Sequence, residues 1–192
     1  MTNKTQTTAT VINGVDRDKL FGTVDLIKGA PQLARFRFNV HNEWQDGAHN
    51  RSTVHGFFGA GTNLEHAVKF ELDSDEPAIL LGQDQGPGAG EYLLHALAAC
   101  VTTSMVYHAA ARGIAIEEVE SSIEGDCDLR GFLGIDPNVR NGFQEIRMNF
   151  RIKADVSDEQ LQELRMLGQR YSPMLDSISH GVPVKVAAER IV

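Results

Sequence analysis

The sequence contains two cysteines, and one of them lies in a long, almost entirely apolar run that is typical of a helix. Cys100 stands within the stretch that continues from Glu91 to Arg112 and is followed by Gly113. A free cysteine in a protein core is usually inert and packs as a small hydrophobic side chain, so its surroundings decide whether it can react. The stretch therefore leaves two interpretations open, a reactive thiol or a core residue.

The residues that would share a helical face with Cys100 are small or weakly polar. Each residue of an α-helix turns by about 100°. On this basis the face of Cys100 also carries Ala96, Leu97, Thr103, Ser104 and Tyr107. His108 is offset by about 80° and is predicted at the side of such a site, whereas Glu91 is offset by about 180° and is predicted to face away. None of these side chains supplies a fixed positive charge, so a cation that activates the thiol would have to come from elsewhere in the chain.

Other combinations of reactive residues give weaker signals. Cys127 lies between Asp126 and Asp128, whose negative charges would disfavour a thiolate. Four histidines fall within a short span, but their spacings match no common zinc motif, and surface positions are predicted for His41, His49, His55 and His66. The run GPGAG lacks the lysine and the serine or threonine of a phosphate-binding loop. The sequence therefore predicts neither a metal site nor a bound cofactor.

The elements that would position Cys100 combine helices with antiparallel strands. Alternation of apolar and polar residues predicts strands over residues 35–44, 51–58, 68–72, 114–129, 143–155 and 182–192. Apolar stripes and capping residues predict helices over residues 16–28, 91–112, 158–170 and 173–180. Ser157 and Gln160 form a capping-box pattern, and Ser172 with Pro173 is typical of a helix start. The acidic run DSDEP is predicted to lie in a solvated loop. The fold class is therefore α+β, with antiparallel sheets around two central helices.

Composition limits the class of protein. The chain has 192 residues, 42% of them hydrophobic, and a formal net charge of −8. This length accommodates one domain, predicted over residues 36–192, after an N-terminal extension with a short helix over residues 1–35. The negative charge and the lack of basic runs argue against nucleic-acid binding. No stretch reaches the about 20 apolar residues of a membrane span, so no membrane association and a cytoplasmic location with reduced thiols are predicted.

The helix that carries Cys100 also predicts an assembly. It has no broad polar face, so burial on all sides is expected. A small sheet covers only one side of a helix, and a second copy of the chain would cover the rest. An obligate homodimer is therefore predicted.

Four stretches of the sequence together resemble the OsmC/Ohr family, the osmotically induced and organic hydroperoxide resistance proteins. They are DQGPGAGEYLLHALAACVTTSMVYHAAARGI, EIRMNFRIKAD, SDEQLQEL and YSPMLDSISHGVPVKV. The resemblance covers residues 36–186, and its most specific part is the loop that leads into EYLLHALAAC. It implies an intertwined α+β homodimer with two sites at the subunit interface.

The resemblance also implies a chemistry. Family members reduce organic hydroperoxides with a peroxidatic cysteine on the central helix, which corresponds to Cys100. Its thiolate becomes a sulfenic acid, a second cysteine then closes a disulfide, and a dithiol restores the starting state. An arginine from the N-terminal sheet and a glutamate before the central helix hold the thiolate. Arg51, which follows the first hairpin turn, is the better match for that arginine, and Arg37 is the alternative.

The chain departs from the family pattern at two positions. Ser172 stands where the second cysteine is expected, and a hydroxyl cannot form a disulfide. Gly90 stands ten residues before Cys100, where the glutamate is expected, and the acidic residue is its neighbour Glu91. These differences indicate a divergent OsmC-like branch without the second cysteine, and nothing in the sequence places Cys127 near Cys100 as a substitute.

Two functions are compatible with these observations. The first is thiol-dependent reduction of an organic hydroperoxide by Cys100 and Arg51, with an external thiol as reductant. The alternative is a non-catalytic protein that binds a small hydrophobic ligand at the dimer interface. In either case the predicted pocket beside the thiol comprises Ser104, Tyr107, His108 and Ser172.

Overall fold

The structure, a computed structural model, describes residues 10–191 and divides into two compact units, Met1–His95 and Ala96–Val192. The strands are β1 (Val11–Ile12), β2 (Val15–Asp16), β3 (Arg37–Phe38), β4 (His41–Asp46), β5 (His49–Gly59), β6 (Thr62–Ser74), β7 (Glu118–Asp126) and β8 (Glu145–Lys153). The α-helices are α1 (Arg17–Gly29), α2 (Ala89–Ala111), α3 (Leu129–Phe132), α4 (Asp158–Arg170) and α5 (Pro173–His180). All strand pairs are antiparallel, which confirms the predicted α+β class.

The described part of the first unit starts with a small hairpin and a helix. β1 pairs with β2, and Asp16 caps α1 by accepting a hydrogen bond from the Lys19 amide at 3.0 Å. This confirms the helix predicted near the N-terminus. A division between an extension and a domain at residues 35 and 36 stays a prediction.

The long strand β5 organises the sheet of the first unit. It pairs with β3 and β4 and also with β6. The single strand predicted over residues 35–44 is wrong in one respect, because β3 and β4 are separate strands with an interruption at Asn39 and Val40. β6 begins at Thr62, earlier than predicted. Ala60 and Gly61, with φ values of 49° and 82°, form a tight two-residue turn, so the strand starts directly after it.

The second unit contains the hydrophobic core. Its centre is formed by four buried side chains, Met105, Ala109, Ile114 and Leu164. The β7–β8 hairpin packs against this cluster through Val119, Phe150 and Ile152. Gly168 of α4 lies so close to α2 that an added Cβ would be 3.0 Å from the Val101 carbonyl oxygen. The core therefore brings α2 and α4 together beside the hairpin.

The C-terminal end of the chain differs from its prediction. Residues 182–191 form no strand, and Val182, Val184 and Val186 are exposed. An alternating apolar pattern forms a strand only where a neighbouring strand accepts its backbone hydrogen bonds. No strand within the described residues pairs with residues 182–191. The strand predicted over residues 114–129 is also shorter than expected, because β7 begins at Glu118 and Leu129 belongs to the one-turn helix α3.

Burial of α2 is confined to one side. Its buried residues are Leu97, Val101, Met105, Ala109 and Ala110. These five positions form one stripe, as expected for the side covered by the chain itself, and burial of the remaining sides by a second copy stays a prediction. The expectation that no stretch matches a membrane span needs correction, because α2 is long and apolar enough by length and composition. One such helix is weak evidence for a membrane span, since core helices of soluble proteins have the same properties.

Candidate functional site

Cys100 lies in an open groove on one side of α2. Its side chain is partly exposed, and the groove has a volume of ≈ 550 Å³. Three small residues of α2, Ala96, Ala99 and Thr103, flank the thiol in the groove. These short side chains leave room for a ligand next to the sulfur. We call this region the thiol groove, and it is lined by Ala96, Ala99, Cys100, Thr103, Ser104, Tyr107, His108, Tyr171 and Pro173.

The helical projection of α2 was wrong for one residue, Leu97. Leu97 was expected beside Cys100, but it is buried in the core stripe and is absent from the groove lining. On a helix, Leu97 lies about 60° from Cys100 toward the side on which Val101 and Met105 lie. A leucine at that angle is drawn to the core because burial removes its apolar surface from water.

The far end of the thiol groove is aromatic. The His108 ring stacks on the Tyr171 ring with centroids 3.9 Å apart and planes inclined by 17°. The Ser104 hydroxyl donates a hydrogen bond to the Tyr171 carbonyl oxygen at 3.1 Å, which ties α2 to the segment between α4 and α5. Burial lowers the pKa of His108 below its ordinary value, and the charge of Arg112 lowers it further. Both effects favour the uncharged imidazole, and Tyr107 beside it is half exposed.

Ser172 is buried and does not line the thiol groove, although Tyr171 and Pro173 on either side of it do. Its Oγ accepts a hydrogen bond from the Leu175 amide at 3.2 Å and so caps α5. The structure thus brings Cys100, Ser104, Tyr107 and His108 together in one groove, and it uses Ser172 to begin a helix.

Arg51 belongs to the first unit, where it lies opposite Asp73 on the neighbouring strand. Its Nε donates to Asp73 Oδ1 at 2.9 Å and one Nη donates to Oδ2 at 3.2 Å. His49 reaches the same carboxylate, with Nε2 at 2.7 Å from Oδ1. The hydrogen bonds from Arg51 and His49 lower the pKa of Asp73 although partial burial opposes the shift. The alternative arginine, Arg37, lies instead over the ring of Phe58, 5.7 Å from its centroid.

The loop before α2 contains a residue that sequence analysis missed. Asp75 was expected in a solvated loop, but only 2% of it is exposed. Its carboxylate accepts hydrogen bonds from the backbone amides of Glu76, Gln83 and Gln85 at 2.8, 3.1 and 3.2 Å. Burial raises its pKa, but the hydrogen bonds from these three amides and the nearby charge of His49 lower it, so the net shift is downward. No local signal distinguishes Asp75 from the other acids of DSDEP, because its partners come together only in the folded loop.

The start of α2 is held by a second carboxylate. Glu91 accepts a hydrogen bond from the Gly88 amide at 2.7 Å. In the same turn, the Tyr92 hydroxyl donates to the backbone oxygen of Asp73 at 2.7 Å. The first turn of the helix that carries Cys100 is thereby attached to the strand that carries Asp73.

The remaining candidates lie outside the thiol groove. Cys127 is exposed, and the acids beside it are paired, Asp126 with Arg147 and Asp128 with Arg130, each at 2.6 Å. These arginines offset the negative charge that was expected to act on the thiol. The surface position predicted for His49 is wrong, because its side chain is 11% exposed and bonded to Asp73. Within residues 10–191, no group of three metal-binding side chains is assembled.

Comparisons with known proteins agree with the architecture. Residues 82–187 match the family model described as OsmC-like protein. An OsmC like protein from Mycoplasma pneumoniae is 17% identical with a TM-score of 0.56, over 74% of this chain and 87% of that chain. An organic hydroperoxide resistance protein OsmC from Legionella pneumophila is 16% identical with a TM-score of 0.52, over 77% of this chain and 94% of that chain. At these identities the likeness shows a common fold. No curated protein matches the sequence.

Proposed function

Because the chain belongs to the OsmC-like protein family, we propose that it reduces organic hydroperoxides with the thiol of Cys100, using an external thiol as reductant. The observation that carries this proposal is the partial exposure of Cys100 in an apolar groove lined beside it by small side chains. A peroxide with an apolar substituent can place its O–O bond at the sulfur and its substituent along the groove. Arg51 is proposed as the cation that favours the thiolate.

The proposed reaction has two halves. The Cys100 thiolate attacks one peroxide oxygen, an S–O bond forms and the O–O bond breaks, and the departing alkoxide takes up a proton to become an alcohol. The sulfur is oxidised by two electrons and the peroxide is reduced. One thiol of an external dithiol then displaces water from the sulfenic acid, and its second thiol displaces Cys100 from the mixed disulfide. The external dithiol is oxidised to a disulfide, and Cys100 is restored.

An external reductant is proposed because the thiol groove contains no second cysteine. Tyr171 and Pro173 line the groove, and the hydroxyl of Ser172 between them is engaged in the cap of α5. Cys127 follows β7 and lies outside the groove lining. A cytoplasmic location, where small thiols are kept reduced, suits such a cycle.

A mass measurement tests the proposal. One equivalent of cumene hydroperoxide should add about 16 Da, one oxygen atom, to the Cys100 peptide, and a dithiol should remove it. A Cys127→Ser variant should behave like the wild type, and a Cys100→Ser variant should consume peroxide only at the background rate. Oxidation of Cys127 ahead of Cys100 would overturn the assignment.

We also propose that the functional form is a homodimer. The outward side of α2 and the aromatic side chains of the first unit are exposed in the single chain, among them Phe38, Trp44 and Leu93. A second copy would remove this apolar surface from water. Light scattering should give twice the mass of one chain, and a monomer at micromolar concentration would contradict this.

The alternative function, binding of a small hydrophobic ligand without turnover, is favoured by one observation. The groove is predominantly apolar, and its neighbouring hydroxyl, Ser172, accepts a hydrogen bond from the Leu175 amide at the start of α5. If this function holds, wild type and Cys100→Ser bind an apolar fluorescent probe equally and neither consumes peroxide above background. The mass experiment and the probe titration together separate the two functions.

A further inference from the structure

One end of the thiol groove is a pair of stacked rings that the proposed reaction does not use. His108 and Tyr171, both in the second unit, line the groove with their ring centroids 3.9 Å apart. Tyr171 is 40% exposed and His108 is partly exposed, so the pair offers ring surface to a ligand. Aromatic rings attract further rings in offset-stacked or edge-to-face contacts, because their faces and edges carry opposite partial charges. The pair can therefore accept an additional ring from a ligand in the groove.

Contacts with α2 and α4 hold Tyr171 in place before any ligand binds. The guanidinium of Arg170 lies over the Tyr171 ring, 5.5 Å from its centroid. The Tyr171 carbonyl oxygen accepts the hydrogen bond from the Ser104 hydroxyl, and the Tyr171 amide donates to the Leu167 carbonyl oxygen at 3.2 Å. A surface that is already ordered binds a ligand at a lower cost in conformational entropy. The ring pair is therefore a preformed surface at the end of the groove.

The lining of the thiol groove favours an uncharged ligand. None of the described residues that line it is an aspartate, glutamate, lysine or arginine. Burial and the charge of Arg112 lower the pKa of His108, which favours the neutral imidazole. A charged group of a ligand would lose its hydration here without gaining an oppositely charged partner from the lining. An aromatic hydrocarbon group suits this lining better than an anionic or cationic one.

The helix sets the distance between the thiol and the ring pair. His108 follows Cys100 by eight residues on α2. At a rise of about 1.5 Å per residue, this separation is about 12 Å along the helix axis. Side chains lean the same way along a helix, so the sulfur and the imidazole ring keep a similar separation. A ring next to the O–O group cannot reach the pair while the peroxide is at the sulfur, whereas a ring on a short alkyl chain can.

We propose that His108 and Tyr171 form a specificity-determining subsite for an aromatic ring that an alkyl chain joins to the hydroperoxide group. The inference rests on the proposed function, in which the peroxide reacts at Cys100, and it names the substrate class of that site. The O–O bond lies at the sulfur, and the alkyl chain follows the short side chains of Thr103 and Ser104 along the groove. The aromatic ring at the end of the chain packs against the ring pair.

Two hydroperoxides of matched length test the subsite on the full-length protein. The probes are 4-phenylbutyl hydroperoxide and 4-cyclohexylbutyl hydroperoxide, and mass spectrometry gives the rate at which each oxidises Cys100. Tyr171→Leu and His108→Leu should each lower the ratio of the phenyl rate to the cyclohexyl rate by about fivefold, the worth of one aromatic contact. Comparing this ratio between variants cancels the difference in hydrophobicity between the two probes.

Conservative and remote variants serve as controls. Tyr171→Phe and His108→Phe retain a ring at each position and should retain the wild-type ratio. Phe132→Leu removes a ring that is 73% exposed and lies outside the groove lining, and it should leave the ratio unchanged. If Tyr171→Leu does not fold, His108→Leu decides the same question.

A shorter pair of probes tests the distance. The rings of benzyl hydroperoxide and cyclohexylmethyl hydroperoxide stay close to the sulfur, so the ratio of their rates should be the same in wild type and in Tyr171→Leu. Damage to the groove as a whole would change this ratio together with that of the longer probes, and such a result would overturn the subsite.

Binding of the corresponding alcohols separates the inference from the proposed function. Calorimetric titration with 4-phenylbutan-1-ol and 4-cyclohexylbutan-1-ol should show the same loss, about fivefold, in the ratio of association constants in both leucine variants. If the ratios for hydroperoxides and alcohols keep their wild-type values in both variants, the subsite is overturned and the reaction at Cys100 stands. If neither hydroperoxide oxidises Cys100 while the alcohol ratio falls as expected, the proposed reaction fails and the ring subsite stands.

Discussion

The two units of the chain differ in where their apolar side chains lie. In the second unit, Met105 and Leu164 are completely buried. In the first unit, no large hydrophobic side chain within the described residues is buried, and Phe38 is 74% exposed. A buried core is what stabilises a folded chain against its conformational entropy. The second unit therefore has its own source of stability, while the sheet of the first unit is expected to need a covering surface.

The exposed side chains of the first unit are ordered rather than scattered. Phe36, Phe38 and Phe57 stack with ring centroids 5.9 to 6.2 Å apart. His66 lies 5.2 Å from the Phe57 ring and 5.4 Å from the Phe70 ring, which continues the row. An aligned aromatic row on one sheet face is typical of a surface that becomes buried on association. The homodimer proposed above would cover it.

The largest contrast between the units is expected from truncating one leucine in each. Leu164→Ala removes a fully buried side chain from the core and should lower the free energy of unfolding by about 2–5 kcal/mol. The matched control is Leu81→Ala in the first unit, where the side chain is 92% exposed, and it should change stability by at most about 0.5 kcal/mol. Urea unfolding of both variants measures the difference. Equal effects would remove the distinction between the two units.

A smaller loss is expected from filling the contact between α2 and α4. In Gly168→Ala the new methyl group would lie 3.0 Å from the Val101 carbonyl oxygen and 3.3 Å from the Met105 Cβ. These atoms belong to a rigid helix, so the helices must separate, at a cost of about 1–3 kcal/mol. The better helix propensity of alanine offsets about 1 kcal/mol of that cost. Chemical denaturation should show a net loss, and an increase in stability would contradict the close packing.

Acid should affect both units in the same direction. Hydrogen bonds from Arg51 and His49 lower the pKa of Asp73, and the hydrogen bond from Arg147 lowers the pKa of Asp126, both from an ordinary 3.8. A carboxyl whose pKa is lower in the folded state stabilises the fold above its unfolded pKa, and this contribution is lost as the pH falls through the folded value. The thermal midpoint should therefore fall as the pH drops below 3.8. Asp73→Asn should flatten this dependence, and an unchanged slope would contradict the assigned contacts.

The smallest effect is expected at the exposed face of the β7–β8 hairpin. Glu120 and Arg151 are paired at 2.6 Å, but their side chains are 55% and 85% exposed. Water screens such a pair, so Glu120→Gln should change the free energy of unfolding by at most about 0.5 kcal/mol. A loss comparable to that of Leu164→Ala would mean that the hairpin, rather than the core, determines the stability of the second unit.

Elements with strong local signals could be predicted from the sequence. The bounds of α4 agree with the prediction, and both hydrogen bonds of its capping box are present between Ser157 and Gln160. α5 begins at Pro173 after the predicted cap, Ser172. In both cases the donors and acceptors are within three residues of each other, so the sequence pattern contains the whole interaction.

Features that depend on distant partners could not be predicted. Val182, Val184 and Val186 alternate with other residues as in a strand, but they are exposed and form none. A strand also requires the edge of a neighbouring strand to which its backbone can bond. The burial of Asp75 depends on amides up to ten residues away, which the folded loop brings together. For the candidate site, helical projection placed Cys100 beside Ser104 and Tyr107 but misplaced Leu97, because the projection does not say where the core lies.

The cap of α5 has a consequence for how such a chain can evolve. Ser172 begins that helix with its hydroxyl, and the residues on either side of it line the thiol groove. A mutation to cysteine would place a thiol between those residues, and the weaker acceptor strength of sulfur would cost the helix start about 1 kcal/mol. Selection at this single codon therefore acts on two properties at once. Under the proposed function, a lineage that replaces this serine by cysteine would give up part of its folding stability for a second thiol, and a lineage that keeps serine would depend on external thiols.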